Sequence, residues 1–259
     1  MDNYFCFAGR RCTDFDVFVE RFPVQEKPMR QVELISVPGR NGALRIDKGG
    51  YENVTILYEC YCRGGPAKIS EISGWLYSSG SGYAELRDTY HPGGFRLAAF
   101  DGPLSAENFW NRRGRFTVQF NCKPQIWTDD GQVPIEFDLP IGASESFDPT
   151  GLGVLYNPYP FATAPLIHIE GAANQVLTIK HALGERSLRC QTSRYADIDC
   201  ELQNMYVGSH NANSQLDIST EFPILAPGEN IISMARSALP SEVDAPLPKL
   251  EITPRWWHL

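Results

Sequence analysis

Apolar and polar residues alternate through much of the chain at the spacing of β-strands. In Arg115–Cys122, "RFTVQFNC", Phe116, Val118, Phe120 and Cys122 fall on one face, and Arg115, Thr117, Gln119 and Asn121 on the other. That is the pattern of a half-buried strand. Asn53–Cys62, "NVTILYECYC", is richer in branched and aromatic residues and reads as a more deeply buried strand. Further strands are predicted at Gln31–Val37, Leu166–Glu170, Val176–His181, Ile198–Tyr206, Leu216–Thr220 and Leu250–Trp256. Short strands punctuated by turns make a mainly β chain of sandwich or barrel type.

One segment breaks the rhythm. "GPAKISEISGWLYSSG" places Pro66 where a first helical turn tolerates it, and sets Ile69, Ile72 and Leu76, with Trp75 beside them, at helical spacing. The spacing predicts one α-helix over about 66–79, its apolar stripe a packing face. After Trp127 the period is lost in a Gly-, Pro-, Ser- and Asp-rich stretch. A long aperiodic stretch marks a linker or functional loop. The expected domains are therefore 1–130 and 131–259, the second built from about Pro134 onward, with the closing strand free to return to the first.

Composition narrows the classes. The chain has 259 residues, is 42% hydrophobic and 21% charged, and carries a formal net charge of −8. Those values are of a globular protein, not a disordered one. The acidic balance argues against a sequence-specific nucleic-acid binder, and the basic run "FWNRRGRF" is short enough to be a solvated turn. No apolar run reaches the ~18 residues of a membrane span, so no membrane insertion is expected. The N-terminus "MDNYFCFAGRRC" shows no secretion signal. Seven cysteines form no C-x-x-C pair, and Cys60 and Cys62 have the wrong spacing for zinc. They are expected to be reduced, buried thiols, with no metal and no cofactor.

Candidate chemistry is sparse. The chain lacks phosphate-loop, dinucleotide, zinc-protease and nucleophile-elbow motifs. Asp197, Asp199 and Glu201 would share one face of a strand, neighbours ~6.5–7 Å apart, inside the range of glycosidase carboxylate pairs. The alternating Ile198, Cys200 and Leu202 instead make that face the solvent side of an amphipathic strand, without a pocket to separate acid from base. His168 and His181 meet only if their strands pair. No catalytic residue is assigned, and the chain is not expected to be an enzyme. The stretch "VPGRNGAL" (Val37–Leu44) is the sharpest local signal: Asn-Gly favours a tight hairpin, and strand rather than helix follows it, which removes the anion-cradle alternative. The turn would display Arg40 and Asn41 at a tip, suited to a carboxylate on another surface.

"VPGRNGAL" followed by "GGYENVTILYECYC", the helix with its "WL", the strand ending "FNCKPQIW", then "FPILAPGEN" and the closing "ITPRWWHL" resemble, in this order, the distal tail proteins (Dit) of long-tailed phages of Gram-positive-type hosts. The likeness runs over nearly the whole chain. It implies a sandwich-like N-terminal ring domain with one helix and a galectin-like C-terminal β-sandwich. It further implies a structural virion protein at the tail tip, made and assembled in the host cytoplasm. Such a protein forms a homo-hexameric ring between the tail tube protein and the tip or baseplate protein, carries receptor-binding proteins in some members, and leaves a channel for DNA. Arg40, Asn41, Trp127, Trp256 and Trp257 are the candidate interface residues, since Arg and Trp are enriched among interface anchors; each Trp is equally suited to a core. Two other readings stay open: a carbohydrate-binding β-sandwich adsorption module, which would bind glycans as a monomer, and a glycoside hydrolase, which needs a paired acid and base in a pocket.

Overall fold

The computed structural model describes residues 3–64, 67–104, 106–110, 113–138, 150–238 and 249–259. Pro66, the Asn111–Arg112 part of the basic run and the 139–149 part of the long linker lie outside them. The fold is mainly β with one α-helix, and the chain divides into two compact units, Met1–Ile126 with Leu259, and Trp127–His258.

The first unit is built on one antiparallel sheet. Its central pair is Val54–Arg63 against Arg113–Cys122, in register from Val54↔Cys122 to Arg63↔Arg113. Gly94–Ala99, Ala84–Asp88 and Phe5–Phe7 extend it on one side and Val17–Val19 on the other. The predicted alternation holds: Phe116, Val118, Phe120 and Cys122 are buried, while Arg115, Thr117, Gln119 and Asn121 face water. The helix Ala67–Leu76 continues as a 3-10 turn over Tyr77–Ser79 and buries Ile72, Trp75 and Leu76 against the sheet. Trp75 fixes the helix, its ring stacked on Phe15 at 4.5 Å and its Nε1 donating to the Phe7 carbonyl at 3.1 Å. Phe5, Phe7, Tyr58 and Phe100 surround Phe120.

The second unit is a β-sandwich. One sheet runs Ile135–Asp138, Lys249–Thr253, Leu166–Glu170, Tyr195–Asp199, Asn204–Val207, His210–Asn211. The other runs Thr150–Asn157, Gly228–Ala238, Ala173–His181, Gly184–Thr192. Ile167, Ile169, Ile198, Leu250 and Ile252 from the first join Leu155, Leu177, Ile179, Leu188 and Ile232 from the second in one core, as two facing sheets require.

Three local expectations need correction. Ile198–Tyr206 is not one strand: Asp199 ends the first half, a turn with Gln203 at φ +55° follows, and the chain returns as Asn204–Val207. Leu216–Thr220 is a loop touching the sheet through a single bridge, Leu216↔Cys190. The strand expected over Leu250–Trp256 stops at Thr253, because Pro254 cannot donate to a ladder and Arg255 takes φ +57°, and a two-residue strand, Trp257–His258, follows. That turn is locked within the unit: Arg255 N donates to the Gly131 carbonyl at 2.7 Å and Thr128 N to the Trp256 carbonyl at 3.0 Å. A Cβ on Gly131 would lie 2.3 Å from the Trp256 nitrogen, so only glycine permits the approach.

Candidate assembly surface

Residues 30–51 form a separate antiparallel ribbon, Arg30–Ser36 with Ala43–Tyr51, that joins no other sheet among the described residues. At ~3.3 Å per residue the longer strand reaches roughly 30 Å. Its tip is not the two-residue Asn-Gly turn expected. Arg40 N donates to the Val37 carbonyl at 3.2 Å, with Pro38 and a left-handed Gly39 (φ +78°) between them, as in a type II turn. Gly42, at the same φ, makes the second bend; Asn41 keeps a negative φ. The outcome is a six-residue loop with Arg40 and Asn41 both exposed. Among the described residues nothing bonds the Arg40 guanidinium.

The base of the ribbon is pinned by Asp47. It accepts the Arg30 Nε at 2.6 Å and the Gly49 amide at 2.8 Å across a register shift between Arg30 and Val32. The Gly49 amide, aided by Arg30, holds the Asp47 carboxyl below its ordinary pKa. Gly49 sits at φ +79°, a conformation that bends this strand.

The ribbon is apolar on both faces. Opposed residues share a face: Ile35↔Leu44 and Glu33↔Ile46 make one, and Val32↔Asp47 and Leu34↔Arg45 make the other. Leu34 is 65% exposed, and Ile35, Leu44 and Ile46 about 40% each. An isolated two-stranded hairpin is marginal in water, and one with uncovered aliphatic side chains on each face is a surface shaped for a partner. The hairpin arms are legible in the sequence from Val32 and Leu34 before the turn and Leu44 and Ile46 after it, and adjacent Leu34 and Ile35 signal the second apolar face, because a half-buried strand does not place apolar residues side by side.

Trp256 is 4% exposed in the core of the second unit, and Trp127 is also buried, its indole nitrogen without a hydrogen-bond partner among the described residues. Trp257 is half-buried, stacked on Phe161 at 4.4 Å and 9°. In this chain Trp127 and Trp256 serve packing, so Arg40 and Asn41 are the fully exposed members of the set.

The acidic row is dispersed. Asp199 is 8% exposed and binds Arg255 in two bonds, 2.9 and 3.0 Å, while accepting the amides of Glu201 and Leu202. Burial alone would raise its pKa, but Arg255 and the Leu202 amide outweigh that and lower it. Glu201 lies in the turn, outside the strand. Asp197 instead bonds His168 Nδ1 at 2.7 Å, and Glu170 meets Nε2 at 3.1 Å. Burial works to lower the His168 pKa, yet the two carboxylates raise it overall. A histidine bonded through both nitrogens to carboxylates is a cation in an ion-pair ladder, with no nitrogen left to act as base. His181 lies in the other sheet and does not meet His168. The seven thiols are free, six of them buried, and burial pushes Cys122 up to about 12. Among the described residues no three His, Cys, Asp or Glu side chains are grouped to hold a metal, and no helix is long and apolar enough to cross a membrane.

Among the described residues the chain is mainly β, in two units, with a single α-helix and an uncovered ribbon in the first. Among solved structures it matches the Dit protein (gp 19.1) of phage SPP1, with TM-score 0.70 over 100% of both chains at 11% identity. That protein is a paradigm of the hub adsorption apparatus in phages infecting Gram-positive bacteria. The resemblance carried by the turn motifs thus extends to the whole fold. No family model and no curated protein matches the sequence.

Proposed function

We propose that this chain is a structural phage tail-tip protein whose copies close into a six-membered ring, the hub joining the tail tube to the tip or baseplate protein. The observation that carries the reading is the ribbon 30–51, a long, exposed, doubly apolar element in a fold matching a hub protein end to end. A ring requires head-to-tail contacts, in which one patch meets a different patch on the next copy. A projecting ribbon is such a patch, since it can lie on a neighbour's sheet without needing its own image there. Full burial of a Leu or Ile contributes ~1.5–3 kcal/mol, and covering the exposed part of each of these side chains contributes a share of it; Arg40 at the tip supplies direction through a carboxylate on that neighbour. The site of action is the virion tail tip, after assembly in the host cytoplasm. The net charge of −8 suits a ring around a DNA channel, where repulsion favours sliding over adhesion. The second unit, in this reading a galectin-like outer domain, holds or contacts adsorption proteins.

Light scattering over a concentration series tests the proposal. A mass of six chains, reached alone or on adding a tail tube or tip protein, supports it, and Arg40→Glu should weaken that assembly. A single-chain mass throughout, with and without those partners, overturns it.

A further inference from the structure

The tip of the ribbon holds the chain's only Asn-Gly pair, Asn41–Gly42. Both residues are exposed, and Gly42 sits in open space at φ +78°, with nothing within 4 Å of where a Cβ would stand. Neither the Asn41 carboxamide nor the Gly42 amide makes a hydrogen bond among the described residues. Glycine has no Cβ to shield its backbone nitrogen, so that nitrogen lies open to the Asn41 side chain beside it. Asn213–Ser214 makes the contrast within the same chain. The Asn213 Oδ1 accepts the Met205 amide at 2.7 Å and its Nδ2 donates to Asn204 Oδ1 at 2.8 Å, so this carboxamide is tied at both ends.

An untied carboxamide next to an unshielded amide is the arrangement of a deamidation site. The Gly42 nitrogen gives its proton to a base and attacks the Asn41 Cγ. The N–Cγ bond forms as the Cγ–Nδ2 bond breaks, and Nδ2 leaves with a returned proton as ammonia. Water then opens the five-membered succinimide at either carbonyl, giving aspartate or isoaspartate. One water is consumed, one ammonia is released, nothing is oxidised or reduced, and a neutral carboxamide becomes a carboxylate that is ionised at neutral pH. We propose that Asn41 undergoes this spontaneous modification in the unassembled chain, and that the product weakens assembly. The first part rests on the tip alone, the second on the hub reading. Within the ribbon Arg30 engages Asp47 and Lys48 engages Glu33, which leaves Arg40 and Arg45 as its cations without a partner among the described residues. A carboxylate at position 41 gives the Arg40 guanidinium an acceptor on its own chain, in competition with the one on a neighbouring copy. The isoaspartate form also lengthens by one carbon the main chain of a loop whose bends are set by Gly39 and Gly42. Chains that assemble cover the tip and keep Asn41, and chains left over lose it with age.

The test incubates the full chain, folded and unassembled, at physiological temperature, and follows its proteolytic peptides by mass spectrometry. The peptide carrying Asn41 should gain one dalton, at a rate that rises with hydroxide concentration, while the peptide carrying Asn213 keeps its mass. Asn41→Gln, whose side chain would have to close a six-membered ring, should keep its mass as well. An Asn41 peptide that gains mass only in urea-unfolded chain, or no faster than the Asn213 peptide, overturns the site. Light scattering reads the consequence: aged wild type and Asn41→Asp should need about two- to fivefold higher chain concentration to assemble than fresh wild type, the worth of one exposed charge pair. Equal assembly of all three overturns the effect on assembly. The two parts fail separately: mass gain in a chain that never assembles, with or without a tail protein, overturns the hub reading and the effect that rests on it, and leaves the modification standing.

Discussion

Two antiparallel strand pairs of similar length occupy the first unit and meet opposite fates. Val54–Arg63 with Arg113–Cys122 alternates strictly and buries Phe116, Val118 and Phe120 beneath a helix. Arg30–Ser36 with Ala43–Tyr51 has the same kind of ladder, yet Leu34, Ile35, Leu44 and Ile46 stay in water on two faces. Hydrogen bonding does not separate them; coverage does. A strand pair with one apolar face is completed by its own chain, whereas the ribbon keeps apolar residues exposed on both faces, the surface that the proposed ring would cover. The same contrast divides two Arg–Asp pairs. Arg255–Asp199 is largely enclosed, and Arg30–Asp47 is open to solvent on both partners.

The sharpest break between the two strand pairs comes from the covered one. Phe120→Ala removes a fully buried ring touching four others and should cost about 3–5 kcal/mol, read as a lower urea midpoint with unchanged slope.

Next in size is the enclosed ion pair. Asp199→Ala leaves Arg255 without its two bonds and frees the turn amides of Glu201 and Leu202, an expected loss of about 3 kcal/mol, at the low end for a broken buried pair because Arg255 keeps some surface in water. Its pH signature has a fixed sign. The folded-state pKa of Asp199 is lowered, so its contribution is complete above the ordinary carboxyl value of about 3.9 and is lost as pH falls through the lowered value. Thermal melts in acid should show wild type and Asp199→Ala converging.

A smaller effect of opposite sign belongs to His168. Its folded-state pKa is raised, so its stabilisation is complete below about 6.5 and fades as pH rises through the raised value. His168→Gln should therefore differ from wild type at mildly acidic pH and approach it at alkaline pH; a difference that grows with pH would refute the ion-pair ladder. Smallest of all, Asp47→Asn should leave the melting temperature of the free chain unchanged, because both partners of its pair are half-exposed to water.

The sequence disclosed what is local. The alternation of Arg115–Cys122 and the Ile69–Ile72–Leu76 stripe each predict an element from residues a few positions apart, and both elements form as read. The tip at Pro38–Gly42 was also legible as a turn, though its type was not, because two glycines rather than Asn41 took the left-handed conformation. What stayed hidden is non-local. Asp199 reads as solvent-facing until Arg255, 56 residues away, closes over it. Trp256 reads equally as an anchor or a core residue until Arg255 turns the chain and drives it into the core.

The claim that the ribbon is completed by another copy is tested most directly by pairing two readouts on one variant, Leu34→Ser with Ile46→Ser, which strips an aliphatic residue from each face. Its melting temperature as a single chain should match wild type, as expected for exposed positions, while light scattering shows the wild-type assembly gone. A variant that assembles as wild type does would contradict the account, and so would one whose isolated chain unfolds, since the ribbon would then be serving its own core.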